Sequence, residues 1–188
     1  MRRERSREYL TPGEIDKLLA AAASPEVTRN PERDYCLLLL MFRHGLRVSE
    51  ACQLRISDVD LGEKSINVPR LKNGISTRHP LYAGEVKAIR GWLSVRAIMN
   101  PDSDALFVSE QRTPLSRATV NLIIAKAALK AGLSHLAVHP HMLRHSTGYS
   151  LVNRGVDIRT VQEFLGHARI ENTVRYAALN HSRFARLF

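Results

Sequence analysis

The last third of the chain gathers the side chains most able to do chemistry: His141-Met142-Leu143-Arg144-His145, then Leu165-Gly166-His167, then Tyr176. A guanidinium keeps its charge and offers a planar fork of donors, an imidazole moves protons near neutral pH, and a phenol can act as a nucleophile. On a helix, residues three apart share a face, so His141 and Arg144 can reach one small target together. Ile158, Val161, Phe164 and Leu165 stand at helical core spacing, and Gly166 is placed to end that helix, which puts His167 just past its end. Tyr176 lies in a following segment with apolar positions Val174, Ala177 and Leu179 of its own. Taken singly, an H-x-x-R is a surface pair and a tyrosine is packing. Converging on one point, the four side chains suggest phosphate chemistry.

An upstream arginine fits the same target. Between Arg33 and Arg43 runs an almost unbroken apolar stretch, Tyr35 to Phe42, which predicts a central buried helix ended by Gly45. Arg47 follows in the turn before a second helix, beside the free amides of that helix's start, where a phosphate oxygen is readily bound. Glu50, one helical turn on, is read as holding Arg47 or the local backbone. After Leu54 the pattern changes from helical to alternating. Ser65 to Val68 and Ser76 to Tyr82 read as two strands, with Lys72-Asn73-Gly74 carrying an Asn-Gly turn signal between them. On position alone, Lys72 is a solvated lysine at a hairpin tip.

Arg47 within His44-Gly45-Leu46-Arg47-Val48-Ser49-Glu50, then Lys72, then His141 and Arg144, then His167, then Tyr176 is an order that resembles the tyrosine recombinase (phage integrase) family. The likeness covers nearly the whole chain and is nearest to the short fimbrial phase-variation recombinases, which consist of little more than the catalytic domain. Pro69-Arg70-Leu71-Lys72, the His-Pro-His run ending at His141, and Thr173-Val174-Arg175-Tyr176 read alike there. The resemblance implies a mainly α fold with a small β-hairpin or sheet (α+β), that of the tyrosine recombinase catalytic domain. It also makes Lys72 the catalytic lysine, since the family carries that residue on such a hairpin. Here the chain departs from the commoner Gly-Lys-Gly setting with Leu71-Lys72-Asn73, and Arg70 and Arg78 are near neighbours of the lysine.

The implied activity is site-specific recombination through a 3′-phosphotyrosyl intermediate, in particular inversion of a promoter-bearing element that controls fimbrial phase variation. The alternatives are an integrase, excisionase or resolvase of a mobile element, or a DNA-binding regulator without catalysis. A phosphodiester resists attack because its oxygens are anionic, so the site must neutralise that charge while the nucleophile approaches in line. Arg47 and Arg144 are assigned to the non-bridging oxygens, with His167 adding a hydrogen bond. Tyr176 is the nucleophile, His141 accepts its proton, and Lys72 protonates the departing 5′ oxygen. Neither metal nor other cofactor is expected, because the arginines supply the charge and the phosphotyrosyl bond conserves the energy of the broken one.

Length and charge bound the same answer. A chain of 188 residues with 44% apolar residues suffices for one core. A single catalytic domain is expected over 1–188: a basic arm over 1–8, a core over 9–176 and a tail over 177–188, without the N-terminal helical domain that most of the family use to clamp the far side of the duplex. The formal net charge of +10 points to a polyanionic partner. The expected partners are double-stranded DNA with inverted-repeat sites, three further copies of the chain in a homotetramer on synapsed DNA, and an accessory DNA-bending protein. No stretch has the length of a membrane span, so a cytoplasmic, nucleoid-associated bacterial protein is expected. Cys36 and Cys52 read as buried thiols.

The remaining elements follow from caps and periodicity. Thr11-Pro12-Gly13-Glu14 has capping-box spacing, and Ile15, Leu18, Leu19 and Ala22 follow as one stripe. Gly84 to Met99 reads as a helix with Val86, Ile89, Leu93 and Val95 inward and Trp92 packing, and Leu106 to Val108 as a short apolar piece. Ser116 caps a helix running to Ala131 and stopped by Gly132, with Arg117, Asn121 and Lys126 as a DNA-reading face. Phe184, Leu187 and Phe188 share a helical face that wants burial, and the resemblance assigns it to a neighbouring protomer. Zinc is suggested only by His135, His139, His141 and His145, which lack a paired cysteine or carboxylate at ligand spacing.

Overall fold

The computed structural model describes residues 7–70 and 76–178; Lys72 and the tail with Phe184, Leu187 and Phe188 lie outside that range. The central element is α2 (Pro31–Arg43), in which every residue from Cys36 to Met41 is buried. A helix apolar on all sides needs neighbours all round. It has them in α1 (Pro12–Ala22), α4 (Ala83–Met99) and α6 (Pro140–Asn153). The capping box of α1 forms as its spacing predicts, with Glu14 accepting the Thr11 N–H at 2.7 Å. Trp92 of α4 is fully buried, and its indole N–H donates to Leu106 O at 2.8 Å, which ties the buried Leu106–Val108 segment to the core.

A small antiparallel sheet lies beside this bundle, in the order β1 (Val59–Asp60), β2 (Ser65–Val68), β3 (Thr77–Pro80). Ile66 pairs with His79 and Asn67 with Arg78. The two residues of β1 are too few to show an alternation, which is why the sequence predicts two strands and not three. The last strand also ends two residues short of Tyr82. Leu81 N–H donates to Lys64 O at 2.7 Å, and the Glu85 carboxylate takes the Tyr82 N–H at 2.8 Å to start α4.

One expectation from the sequence is corrected. In α5 (Arg117–Lys130), capped by Ser116 as expected, Arg117, Asn121 and Lys126 are all exposed but do not form one face. Nine residues at about 100° each place Lys126 on the side of the helix opposite Arg117. The buried stripe of α5 is narrow, built from Val120, Ile123, Ile124, Ala127 and Ala128, so both flanks meet solvent. In α8 (Glu171–Ala178), Val174 is 48% exposed, whereas Thr173 and Tyr176 are buried. That helix turns its tyrosine inward, not its valine. Cys36 is buried and Cys52 half-buried, both as free thiols. Among the described residues no helix is long and apolar enough to cross a membrane.

Candidate active site

Glu50 ties the site together. It lies in the first turn of α3 (Val48–Gln53), and its carboxylate accepts the N–H of the N-cap residue, Arg47, at 2.9 Å. The Arg47 guanidinium folds back onto the same carboxylate but stays 30% exposed. Arg70 pairs with it at 2.9 Å with both side chains wholly buried, and Arg144 stands 3.9 Å away. Burial alone would raise the pKa of Glu50, but the Arg47 amide and the Arg70 and Arg47 charges outweigh it and hold the group below its ordinary value. One buried anion thus organises three cations.

Two of those cations also act as staples. Arg70 donates to His44 O at 3.4 Å and to Phe164 O, and Arg144 donates to the next carbonyl of each segment, Gly45 O and Leu165 O, the latter at 2.6 Å. The Phe164 and Leu165 carbonyls close α7 (Ile158–Leu165), where the last turn leaves carbonyls unpaired and the helix dipole favours positive charge. The two guanidiniums therefore clamp the α2–α3 turn, which carries Arg47, against the helix end that carries His167. Gly166 makes room for this: its φ is +63°, and a Cβ there would come within 2.9 Å of Arg70 Cδ. Buried against two other arginines, Arg144 has its pKa brought down to about 9, by burial first and then by Arg47 and Arg70, with Glu50 opposing.

Tyr176 occupies a slot in α6. Its ring packs on Gly148, where a Cβ would meet ring carbons at 2.3 to 2.6 Å, and Val161, Leu165 and Phe164 close the pocket. The phenol oxygen lies 3.0 Å from His145 Nδ1. His167 faces the same ring at 6.2 Å between centroids and 27° between planes, and its Nδ1 lies 2.9 Å from Thr173 Oγ1. Burial raises the phenol's pKa, with Arg144, Arg175 and Arg47 working against it. His167 is pushed down to about 3 by burial and then by Arg144, Arg47 and Arg70, so it is neutral at physiological pH.

The fold has counterparts among known proteins. Residues 8–183 match the phage integrase family. The chain belongs to that family. It is 49% identical over 182 residues to the type 1 fimbriae regulatory protein FimB of Escherichia coli (strain K12), an alignment covering 96% of this chain and 88% of that one. The crystal structure of XerA recombinase superposes with a TM-score of 0.84 at 35% identity, over 98% of this chain and 65% of that one. XerH site-specific recombinase, bound to its palindromic difH substrate in a post-cleavage complex, gives a TM-score of 0.82 at 25% identity, over 97% of this chain and 52% of that one. The mainly α fold with a small sheet, expected from the sequence, is the fold of these recombinases.

In this tyrosine recombinase, then, Arg47, Arg144, His167 and Tyr176 stand around one pocket, and His141 sits at its rim, exposed, with its ring 6.5 Å from that of His145. Lys72 lies outside the described residues. Several members of the site escape a reading of motifs. Arg70 gives no sign of burial in sequence, because an arginine beside a turn is ordinarily solvated. His145 is overshadowed by the H-x-x-R it follows. Gly148 stands inside α6, where a glycine costs about 1 kcal/mol against alanine and so calls for a packing reason.

A second buried network braces the pocket from behind. His44 Nδ1 and His79 Nδ1 are 3.1 Å apart, His44 Nε2 lies 2.9 Å from Glu85 Oε1, and the His79 ring stacks on Phe164 at 4.0 Å. It joins the end of α2, strand β3, helix α4 and helix α7. Burial, followed by the charges of His44 and Arg70, drives His79 down to about 3. It holds position as a neutral ring.

Proposed function

We propose that this tyrosine recombinase cuts and rejoins double-stranded DNA at inverted-repeat sites, inverting a DNA element that controls fimbrial expression. Support for the substrate comes from the formal net charge of +10 and from the likeness to XerH, which is bound to DNA. Support for the biological role comes from the likeness to FimB, named for its regulation of type 1 fimbriae.

The observation that carries the chemistry is the buried phenol of Tyr176, touching a histidine and lying within the field of Arg144 and Arg47. Arg47 and Arg144 bind the non-bridging oxygens of the scissile phosphate, and their charge stabilises the pentacoordinate transition state. A histidine beside Tyr176 takes its proton, and the phenolate attacks phosphorus in line. The 5′ oxygen leaves with a proton from Lys72, and His167 donates to a phosphate oxygen. Exchange of 5′ hydroxyls between two cut duplexes needs two protomers on each, hence a homotetramer. An accessory DNA-bending protein would bring the two sites together.

The decisive experiment incubates the full chain with a nicked suicide substrate and resolves the products on a denaturing gel. The wild type is expected to give a covalent protein–DNA band. Tyr176→Phe, which removes only the hydroxyl, is expected to bind DNA normally and give none. An adduct that persists in Tyr176→Phe refutes the assignment of the nucleophile.

A further inference from the structure

We propose that His145 is the catalytic residue that takes the proton of Tyr176 as the phenol attacks, an assignment that rests on Tyr176 being the nucleophile. Two histidines, His145 and His167, lie against the Tyr176 ring, His141 lies beyond His145, and geometry separates the three. His141 is exposed at the rim. His167 presents its ring face to the tyrosine, and its Nδ1 is engaged with Thr173. Among the described residues, only His145 brings a nitrogen to the hydroxyl, with Nδ1 at 3.0 Å and the two rings edge to face at 61°. That is hydrogen-bond reach for a general base, before any substrate arrives.

The surroundings keep this base fit for use. A phenol whose pKa is raised by burial needs a partner to ionise, so a group already hydrogen-bonded to it is required. The charged and titratable groups facing His145 are Glu8, His141, Arg144, His167, Arg175 and Tyr176. Burial first, and then His141, Arg144 and Arg175, hold it below its ordinary value, with Glu8 opposing. The ring is therefore neutral near pH 7 and has a lone pair on Nδ1 when its hydrogen is on Nε2. In the step itself the Tyr176 O–H bond breaks and its proton passes to Nδ1. The phenolate oxygen forms the new bond to phosphorus, and the bond from phosphorus to the 5′ oxygen breaks. When the 5′ hydroxyl returns, the imidazolium gives the proton back to the phenolate.

The test measures single-turnover adduct formation on the nicked substrate across pH for the full chain and for His145→Asn, His145→Ala and His141→Asn. Asparagine keeps a hydrogen-bonding atom near the Nδ1 position but cannot take up a proton. His145→Asn is expected to lose about 100-fold or more of the rate. It should also lose the acid-side fall in rate that is expected of the wild type as His145 protonates, while His141→Asn should keep that fall. If His145→Asn reacts within a few-fold of wild type with the acid fall intact, while Tyr176→Phe forms no adduct, the role of His145 is overturned and the nucleophile stands. An adduct from Tyr176→Phe overturns both. A measurement free of mutation guards against misfolding of the variants: ¹⁵N histidine spectra of the wild-type protein should show His145 carrying its hydrogen on Nε2. Finding it on Nδ1 removes the lone pair the step requires and refutes the proposal.

Discussion

Gly148 lies one helical turn beyond Arg144, and the Tyr176 ring fills the space where its side chain would be, 2.3 Å from an ideal Cβ position. Helix propensity and packing make opposite predictions for Gly148→Ala. On propensity the change stabilises by up to about 1 kcal/mol. On packing it forces a ring out of an occupied slot, at a cost of about 1–3 kcal/mol. Packing should win, because the contact is with ring carbons held on the far side by Val161 and Leu165, not with the free end of a flexible chain. The melting temperature of Gly148→Ala is therefore expected to fall, and adduct formation with it as the phenol leaves His145. A rise in melting temperature with normal cleavage would show that the tyrosine moves freely.

Among the elements, α7 packs Val161 and Leu165 against Tyr176, and buried charge fastens it and α3 to the rest of the site. Glu50 is wholly buried between Arg47, Arg70 and Arg144, and Arg70 and Arg144 tie α7 to the α2–α3 turn. Removing one member of such a buried set leaves the others uncompensated, which costs about 3–5 kcal/mol. Glu50→Gln is expected to lose stability on that scale in denaturant unfolding and to loosen the phosphate site as well. A neutral result would mean that the carbonyl bonds alone hold the clamp. The same elements carry two histidines, His79 on β3 and His167 after α7, whose pKa values burial pushes down to about 3. A histidine that stays neutral when folded but charges at its ordinary value of 6.5 when unfolded stabilises the fold above that pH. Stability should accordingly decline as pH falls from about 6.5 towards 3, with a slope of up to about 1.4 kcal/mol per pH unit for each histidine. Unfolding at a series of pH values measures it, and a flat profile between pH 6.5 and 5 would show that both rings protonate freely in the folded state.

At the scale of the whole molecule, the formal net charge of +10 governs encounter with DNA more than it governs the fold. Each phosphate contact releases condensed counterions, so affinity falls as added salt restores them. A protein making about six to ten such contacts loses about 10³–10⁵ in affinity between about 50 and 200 mM salt. A loss on that scale is expected in gel-shift titrations of the full chain on its site. A response that is flat in salt would argue that apolar contacts dominate binding.

The sequence by itself determined the elements and the kinds of chemistry available. Capping and glycine stops drew helices from Thr11, from Ser116 and up to Gly166, because a cap is a local contract between residues a few positions apart. Unbroken apolarity over Cys36 to Met41 made α2 the centre, and the order of Arg47, His141, Arg144, His167 and Tyr176 named the chemistry. Only the tertiary structure decided which of these side chains meet. Arg70 and Glu50 form their buried pair across 20 residues, and His145 reaches Tyr176 across 31. No periodicity encodes such pairings. They depend on where three helix ends converge, and on the low dielectric there, which makes a buried charge or phenol seek whichever partner the packing brings within reach.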